Sequence, residues 1–262
     1  MNNEIEFFDS HAHYDDKQFE DDREELLNNM KKNGITKIIN VGRLSKQYDF
    51  IYHAEGLHPN DVGEMSTLCD LENSVCRGCM VCNPEHNVHD CHNGIVAIGE
   101  IGLDYHWNKD NKEKQKEYFV KQIDIASNLD LPIIIHNREA DNDTMNILKN
   151  IIKSKAGGVF HCCSLGLELT KEALKLGYYI SFAGPITFKN NKTAKEIIEY
   201  VPIDRILIET DSPYLAPEPL RGKRNDSRNL KYIANKIAEI KQMELQDIAE
   251  VTFENTRRLF RI

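Results

Sequence analysis

The chain has 262 residues, 42 acidic against 33 basic side chains and a formal net charge of −9 at pH 7. That length accommodates one large α/β domain or two small ones, and the charge excludes a broad electrostatic hold on nucleic acid or anionic membrane, so a polyanionic substrate would need a local positive feature. No apolar run reaches membrane-spanning length and the start, MNNEIEFFDSHAH, lacks a signal-peptide pattern, so a soluble cytoplasmic or nuclear protein with no membrane partner is expected, with the monomer as the favoured state.

Apolar runs of β character alternate with longer helical patterns. In chain order the strand candidates are Ile5–Asp9, Thr36–Val41, Tyr52–His58, Gly94–Glu100, Leu131–His136, Gly157–His161, Gly177–Phe182 and Asp204–Glu209. Helical patterns fall between and after them: FEDDREELLNNMKKNG, stopping at Gly34; KEKQKEYFVKQIDIASNLD; and, near the end, Asn229–Ile240 and Leu245–Phe260. Short, nearly all-apolar strands separated by helices predict a parallel sheet buried on both faces, and a single-domain (β/α)8 TIM barrel over 1–262 fits this length, with an open doubly wound sheet as runner-up.

The segment Asn60–Asn93 breaks the rhythm and reads as a Cys/His-rich loop insertion. Five of the seven cysteines (Cys69, Cys76, Cys79, Cys82 and Cys91) crowd there, which suits reduced thiols or metal ligands better than a disulfide framework. Cys76, Cys79 and Cys82, followed by His86, His89 and Cys91, have spacing compatible with an additional structural zinc. Free thiols are the preferred alternative.

In a barrel, the carboxyl ends of the strands converge on one mouth. There the sequence places Asp9, His11, His13, His58, Glu100, His136, His161, Glu209 and Asp211. Imidazoles and carboxylates together suit zinc, manganese, nickel, cobalt or iron, and a shared carboxylate lets two cations sit about 3.5–4 Å apart. Glu100, which closes the apolar run GIVAIGE, is the candidate for that bridge. Any one of these residues alone reads as an ordinary hydrogen-bonded side chain; their recurrence at equivalent strand ends is what points to metal.

The runs FFDSHAHYD, AIGEIGLDYH, PIIIHNREA, FHCCS, GYYISFAGPITFKN, ILIETDSPYLAPEPLRGKRN and NTRRLF resemble the successive signatures of the TatD family of metal-dependent deoxyribonucleases, within the amidohydrolase-like barrels. The resemblance covers nearly the whole chain outside Asn60–Asn93. It implies that His11, His13, Glu100 and Asp211 hold one divalent cation (magnesium, manganese or zinc) and that Glu100, His136 and His161 hold a second. Asp211 and Glu100 would then be the catalytic pair, with Asp211 placed to take a proton from the attacking water. Glu209 is expected to orient a liganding imidazole; Asp9 does the same or is structural.

On the substrate side stand His58, Arg138, Arg221, Lys223 and Arg224. LRGKRN reads as a phosphate-positioning loop that would hold DNA without reading its sequence, or as a solvated basic loop. Tyr105 and Trp107 either stack on a base or wall the core. Two departures from the family pattern are Cys163, where many relatives carry an aromatic, and Asn60, where a second histidine is usual. The expected activity is divalent-metal-dependent hydrolysis of DNA, as a 3′–5′ exonuclease on single strands or frayed ends. A metal-dependent amide or ester hydrolase, such as a D-aminoacyl-tRNA deacylase, is the alternative, and a non-catalytic binding module the third.

Overall fold

The computed structural model describes residues 5–62, 94–107, 109–151 and 156–262. Eight strands, β1 (Phe7–Ala12), β2 (Ile35–Val41), β3 (Ile51–Glu55), β4 (Ile95–Asp104), β5 (Ile133–Arg138), β6 (Gly158–Phe160), β7 (Tyr179–Phe182) and β8 (Ile206–Ile208), pair in parallel in that order. A bridge between Ala12 and Ser212, with Asp211 N donating to His11 O at 3.0 Å and His13 N to Ser212 O at 2.7 Å, joins the last strand to the first. The result is the predicted TIM barrel.

Helices follow the strands: α1 (Arg23–Asn28), α2 (Lys112–Asn128), α3 (Asp141–Asn150), α4 (Leu167–Lys175), α5 (Lys192–Tyr200), α6 (Leu230–Lys241) and α7 (Leu245–Phe260). The long helical pattern expected from Phe19 to Gly34 forms only α1 flanked by single 3-10 turns, closed by Gly34 in the left-handed region. No described helix is long and apolar enough to cross a membrane.

Strand pleating sorts side chains into two layers. Phe8, Ile39, Val96, Ile134, Val159, Tyr179 and Leu207 point inward and pack with Leu259 and Phe260 of α7, while Ile133, Ile135, Phe160, Ile180, Ile206 and Ile208 face the helices. Each fully buried aliphatic side chain contributes about 1.5–3 kcal/mol by leaving water. This double burial explains why the strands read as continuous apolar runs rather than alternating ones.

Candidate metal centre

The same pleat aims the functional side chains. In β5, Ile134 fills the interior and His136, two residues on, emerges at the mouth; Val159 leads likewise to His161, and Leu207 to Glu209 and Asp211. In β1, a register shift between Asp9 and Ala12 re-aims the chain, so both His11 and His13 turn toward the mouth. Glu100 does not end its strand as the sequence suggested: β4 continues to Asp104, and its register against β5 shifts between Ile98 and Ile101. The irregularity is what places a carboxylate on the inner side in mid-strand. β3 is shorter than expected, leaving His58 on the loop after Glu55.

Glu100 is the hub. Its Oε2 lies 3.5 Å from His11 Nε2 and 3.8 Å from His13 Nε2, while Oε1 lies 2.5 Å from His136 Nδ1, 2.7 Å from His161 Nε2 and 3.6 Å from His58 Nε2. Asp211 Oδ1 completes the first group, 3.6 Å from His11 Nε2 and 3.4 Å from His13 Nε2. The six expected ligands therefore converge in two groups that meet on one carboxylate.

Three of the rings have their remote nitrogen held. Val41 O accepts from His13 Nδ1 at 3.2 Å, Glu209 Oε1 from His161 Nδ1 at 3.2 Å and Asp104 Oδ2 from His136 Nε2 at 3.2 Å. A carbonyl or carboxylate can only accept, so each contact keeps a proton on the remote nitrogen and leaves the near nitrogen, on the Glu100 side, as the one a cation would take in place of its proton. Asp104 is an anchor that sequence reasoning missed; the signal was an acid closing a fully buried run. Asp9 touches no imidazole ring among the described residues. Its carboxylate accepts from Thr210 N, Thr210 Oγ1 and Ser227 Oγ at 2.9, 2.5 and 2.6 Å, tying β1 to the segment after β8, and burial pushes its pKa up to about 7 against these donors.

This donor set fits a divalent cation. Buried His11 and half-buried His13 bring their Nε2 atoms within 3.0 Å of each other, and His11 Nδ1 and Glu209 Oε2 are buried without a hydrogen-bond partner. Burial works against the charge on Glu100, but His161 and His136 outweigh it and hold its pKa well below the usual carboxylate range. Burial likewise opposes charge on His161 and His136, yet Glu100 raises both. For His13, Asp211 and Glu100 overcome burial and push the pKa up to about 9. Without a cation, shared protons balance the carboxylates; a cation would replace them.

A cleft of about 880 Å³ opens onto Glu100, His136, His161 and Asp211 and runs toward Asp15, Asp16, Arg43 and Asp61. His58 lines it and forms part of the group with Glu100 and His136 whose ligand atoms lie within 4.8 Å of one another. Tyr214, not singled out from sequence, also lines it, its hydroxyl donating to Asp16 at 2.7 Å.

The expected basic grip is divided. Arg224 is committed to Asp22, with N–O distances of 2.8 and 2.5 Å, and to Gln18 O at 2.7 Å, with its guanidinium 4.8 Å from the Phe19 ring centre. It braces the 3-10 turn before α1 and does not line the cleft. Arg221 lies over Phe188 at 4.4 Å, and Lys223 is exposed; neither lines the cleft. Arg138 ends β5 outside it. Tyr105 is buried and donates to Asp143, whereas Trp107 is 69% exposed. Cys76, Cys79, Cys82, His86, His89 and Cys91 lie outside the described residues, and with them the expected structural zinc.

The chain resembles proteins of known grouping along its whole length. It is 44% identical to an uncharacterized metal-dependent hydrolase of Bacillus subtilis, YabD, over 97% of this chain and 99% of that one. A metal-dependent hydrolase of Methanocaldococcus jannaschii is 31% identical over 98% of both. Among solved structures, YJJV of Escherichia coli, a TatD homolog, superposes with a TM-score of 0.86 at 27% identity, covering 98% of this chain and 99% of that one. A family profile described as TatD related DNase matches residues 8–261, and the chain belongs to that family of metal-dependent hydrolases.

Proposed function

We propose that this protein is a divalent-metal-dependent deoxyribonuclease that hydrolyses phosphodiester bonds at the 3′ ends of single strands or frayed duplexes. The observation that carries the reading is the division of Glu100, one oxygen facing His11 and His13 and the other facing His136 and His161. His11, His13, Glu100 and Asp211 would hold one cation, and Glu100, His136 and His161 the other. When bound, such a pair neutralises a phosphate and brings the pKa of a water toward about 7.

The chain's own residues do the rest. Val41, Asp104 and Glu209 hold the remote nitrogens of His13, His136 and His161, so that their near nitrogens would face a bound cation. Burial opposes ionisation of Asp211, but its contact with His13 and the charges on His11 and His161 lower its pKa, so its carboxylate is ionised and able to accept a proton from the attacking water. A cleft of about 880 Å³ lies within the range of small-ligand pockets, which suits the end of a strand rather than an intact duplex.

The second reading, hydrolysis of an aminoacyl ester, has one observation in its favour: Asp15, Asp16 and Asp61 in the cleft wall would receive an ammonium group more readily than a polyanion. End-labelled single- and double-stranded DNA and a D-aminoacyl ester, offered to chelator-stripped protein with one cation restored at a time, separate the two. We expect stepwise release of nucleotides from 3′ ends, abolished in Glu100→Gln with the fold retained. Ester cleavage without DNA cleavage would overturn the assignment.

A further inference from the structure

One rim cavity lies outside the metal cleft, and its walls carry chemistry that the centre does not use. It has a volume of about 640 Å³ and is bounded by Tyr105, Arg138, Ser164 and the first turn of α3. Its acids already have partners. Glu139 meets His106 at 2.6 Å, Asp141 accepts from Asn137 at 2.7 Å, and Asp143 accepts from Tyr105 at 2.7 Å and pairs with Lys116 at 2.9 Å. Among the described residues Arg138 has no ion-pair partner; its guanidinium lies 5.3 Å from the ring centre of Trp107, the most exposed large apolar side chain among them.

Two features lock this pair to the metal centre. Arg138 follows His136 by two residues in β5, so its side chain leaves the strand on the same side, about 6.6–6.8 Å further along. That is roughly one nucleotide step of an extended strand. Asp104, whose Oδ2 holds His136 Nε2, also accepts through Oδ1 from the backbone N–H groups of His106 at 2.9 Å and Trp107 at 3.1 Å. One carboxylate thus fixes both the ligand ring and the turn that presents the tryptophan.

Resting on the nuclease reading, we propose that Trp107 and Arg138 form a nucleotide-binding subsite next to the scissile position. Trp107 stacks on the neighbouring base, and Arg138 takes the phosphate beside it. Stacking is indifferent to base identity, and a guanidinium contact to phosphate carries no sequence information, so the subsite serves any single strand.

Trp107 is the only tryptophan of the chain, so intrinsic fluorescence reads the subsite directly. Metal-loaded protein is titrated with a nuclease-resistant phosphorothioate tetrathymidylate, with an abasic strand of equal phosphate number and with inorganic phosphate. We expect saturable quenching by the thymidylate and far less by the other two. Arg138→Ala should raise the thymidylate dissociation constant at least tenfold and reduce the slope of log affinity against log salt by about one. Trp107→Ala should raise KM for oligonucleotides about 5- to 150-fold, and Trp107→Phe should restore most of it.

Unchanged fluorescence, equal quenching by the abasic strand, or an Arg138→Ala variant with wild-type affinity and salt slope would each overturn the subsite. Quenching without DNA cleavage would leave the subsite standing and remove the nuclease reading. Cleavage with silent fluorescence would do the reverse.

Discussion

Replacing Glu209 separates its effect on metal from its effect on the fold. Its Oε1 accepts from His161 Nδ1 at 3.2 Å and from Cys162 N at 2.7 Å, in a place with 1% exposure. In Glu209→Gln the amide oxygen still accepts from both, so the loss is the negative charge that strengthens His161 as a donor to metal. Anchors of this kind are worth 10–100-fold in affinity; with the acceptor kept we expect about tenfold, or ~1.4 kcal/mol, and little change in the stability of metal-free protein. In Glu209→Ala, two buried N–H groups lose their acceptor at ~1–3 kcal/mol each, so a loss of ~2–6 kcal/mol in stability joins the loss of affinity. Calorimetric titration of zinc and manganese into chelator-stripped protein, paired with thermal denaturation, measures both. A Gln variant that binds both cations like the wild type, or one that loses stability and keeps affinity, would refute the assignment of Glu209 to His161.

Proton competition sets the pH dependence. With Asp211 and Glu100 pushing the His13 pKa up to about 9 against its burial, a cation binding at neutral pH must displace that proton. Affinity should therefore rise with pH up to about 9, roughly tenfold per unit for each proton displaced, and titrations in two buffers of different ionisation enthalpy should reveal proton release; a flat profile would contradict it. Gly102→Ala should be severe, because Gly102 has φ +148° and an added Cβ would lie 2.0 Å from His136 O. It would force β4 from β5 at a ligand, so we expect a loss of more than ~3 kcal/mol together with weakened metal binding, read by denaturation and elemental content. Arg224→Ala should lower stability by up to ~1 kcal/mol, discounted because its pair with Asp22 is partly exposed, while KM for oligonucleotides stays within about twofold. A rise in KM without loss of stability would return Arg224 to the substrate.

The barrel was legible because most strands are buried on both faces and so read as apolar runs. Its polar exceptions at the mouth marked the candidate ligands: His136, His161 and Glu100 stand on such runs and converge in the structure. Strand ends were less legible: a register shift carries β4 past Glu100 to Asp104, and nothing in GIVAIGE announces it. Long-range pairing was invisible. LRGKRN looks like one basic grip, but Arg224 turns to Asp22, far away in sequence, and Asp9 serves Thr210 and Ser227 rather than a ring. Tyr105 and Trp107, adjacent but for one residue, part because Tyr105 finds Asp143 inside the fold while the Trp107 ring lies beside Arg138 at the surface.

The joint between β1 and β8 lies directly at His11 and Asp211, where Asp211 N reaches His11 O and His13 N reaches Ser212 O. The proposed ligands of one cation thus come from both ends of the chain, and Asp211 joins His11 and His13 only when the circle shuts. A ribosome-bound chain still lacking β8 would have no carboxylate to offer across that joint. Capture of the ion would then register that the barrel is finished, and a metal-sensitive signal during refolding would time the last closure rather than the first collapse.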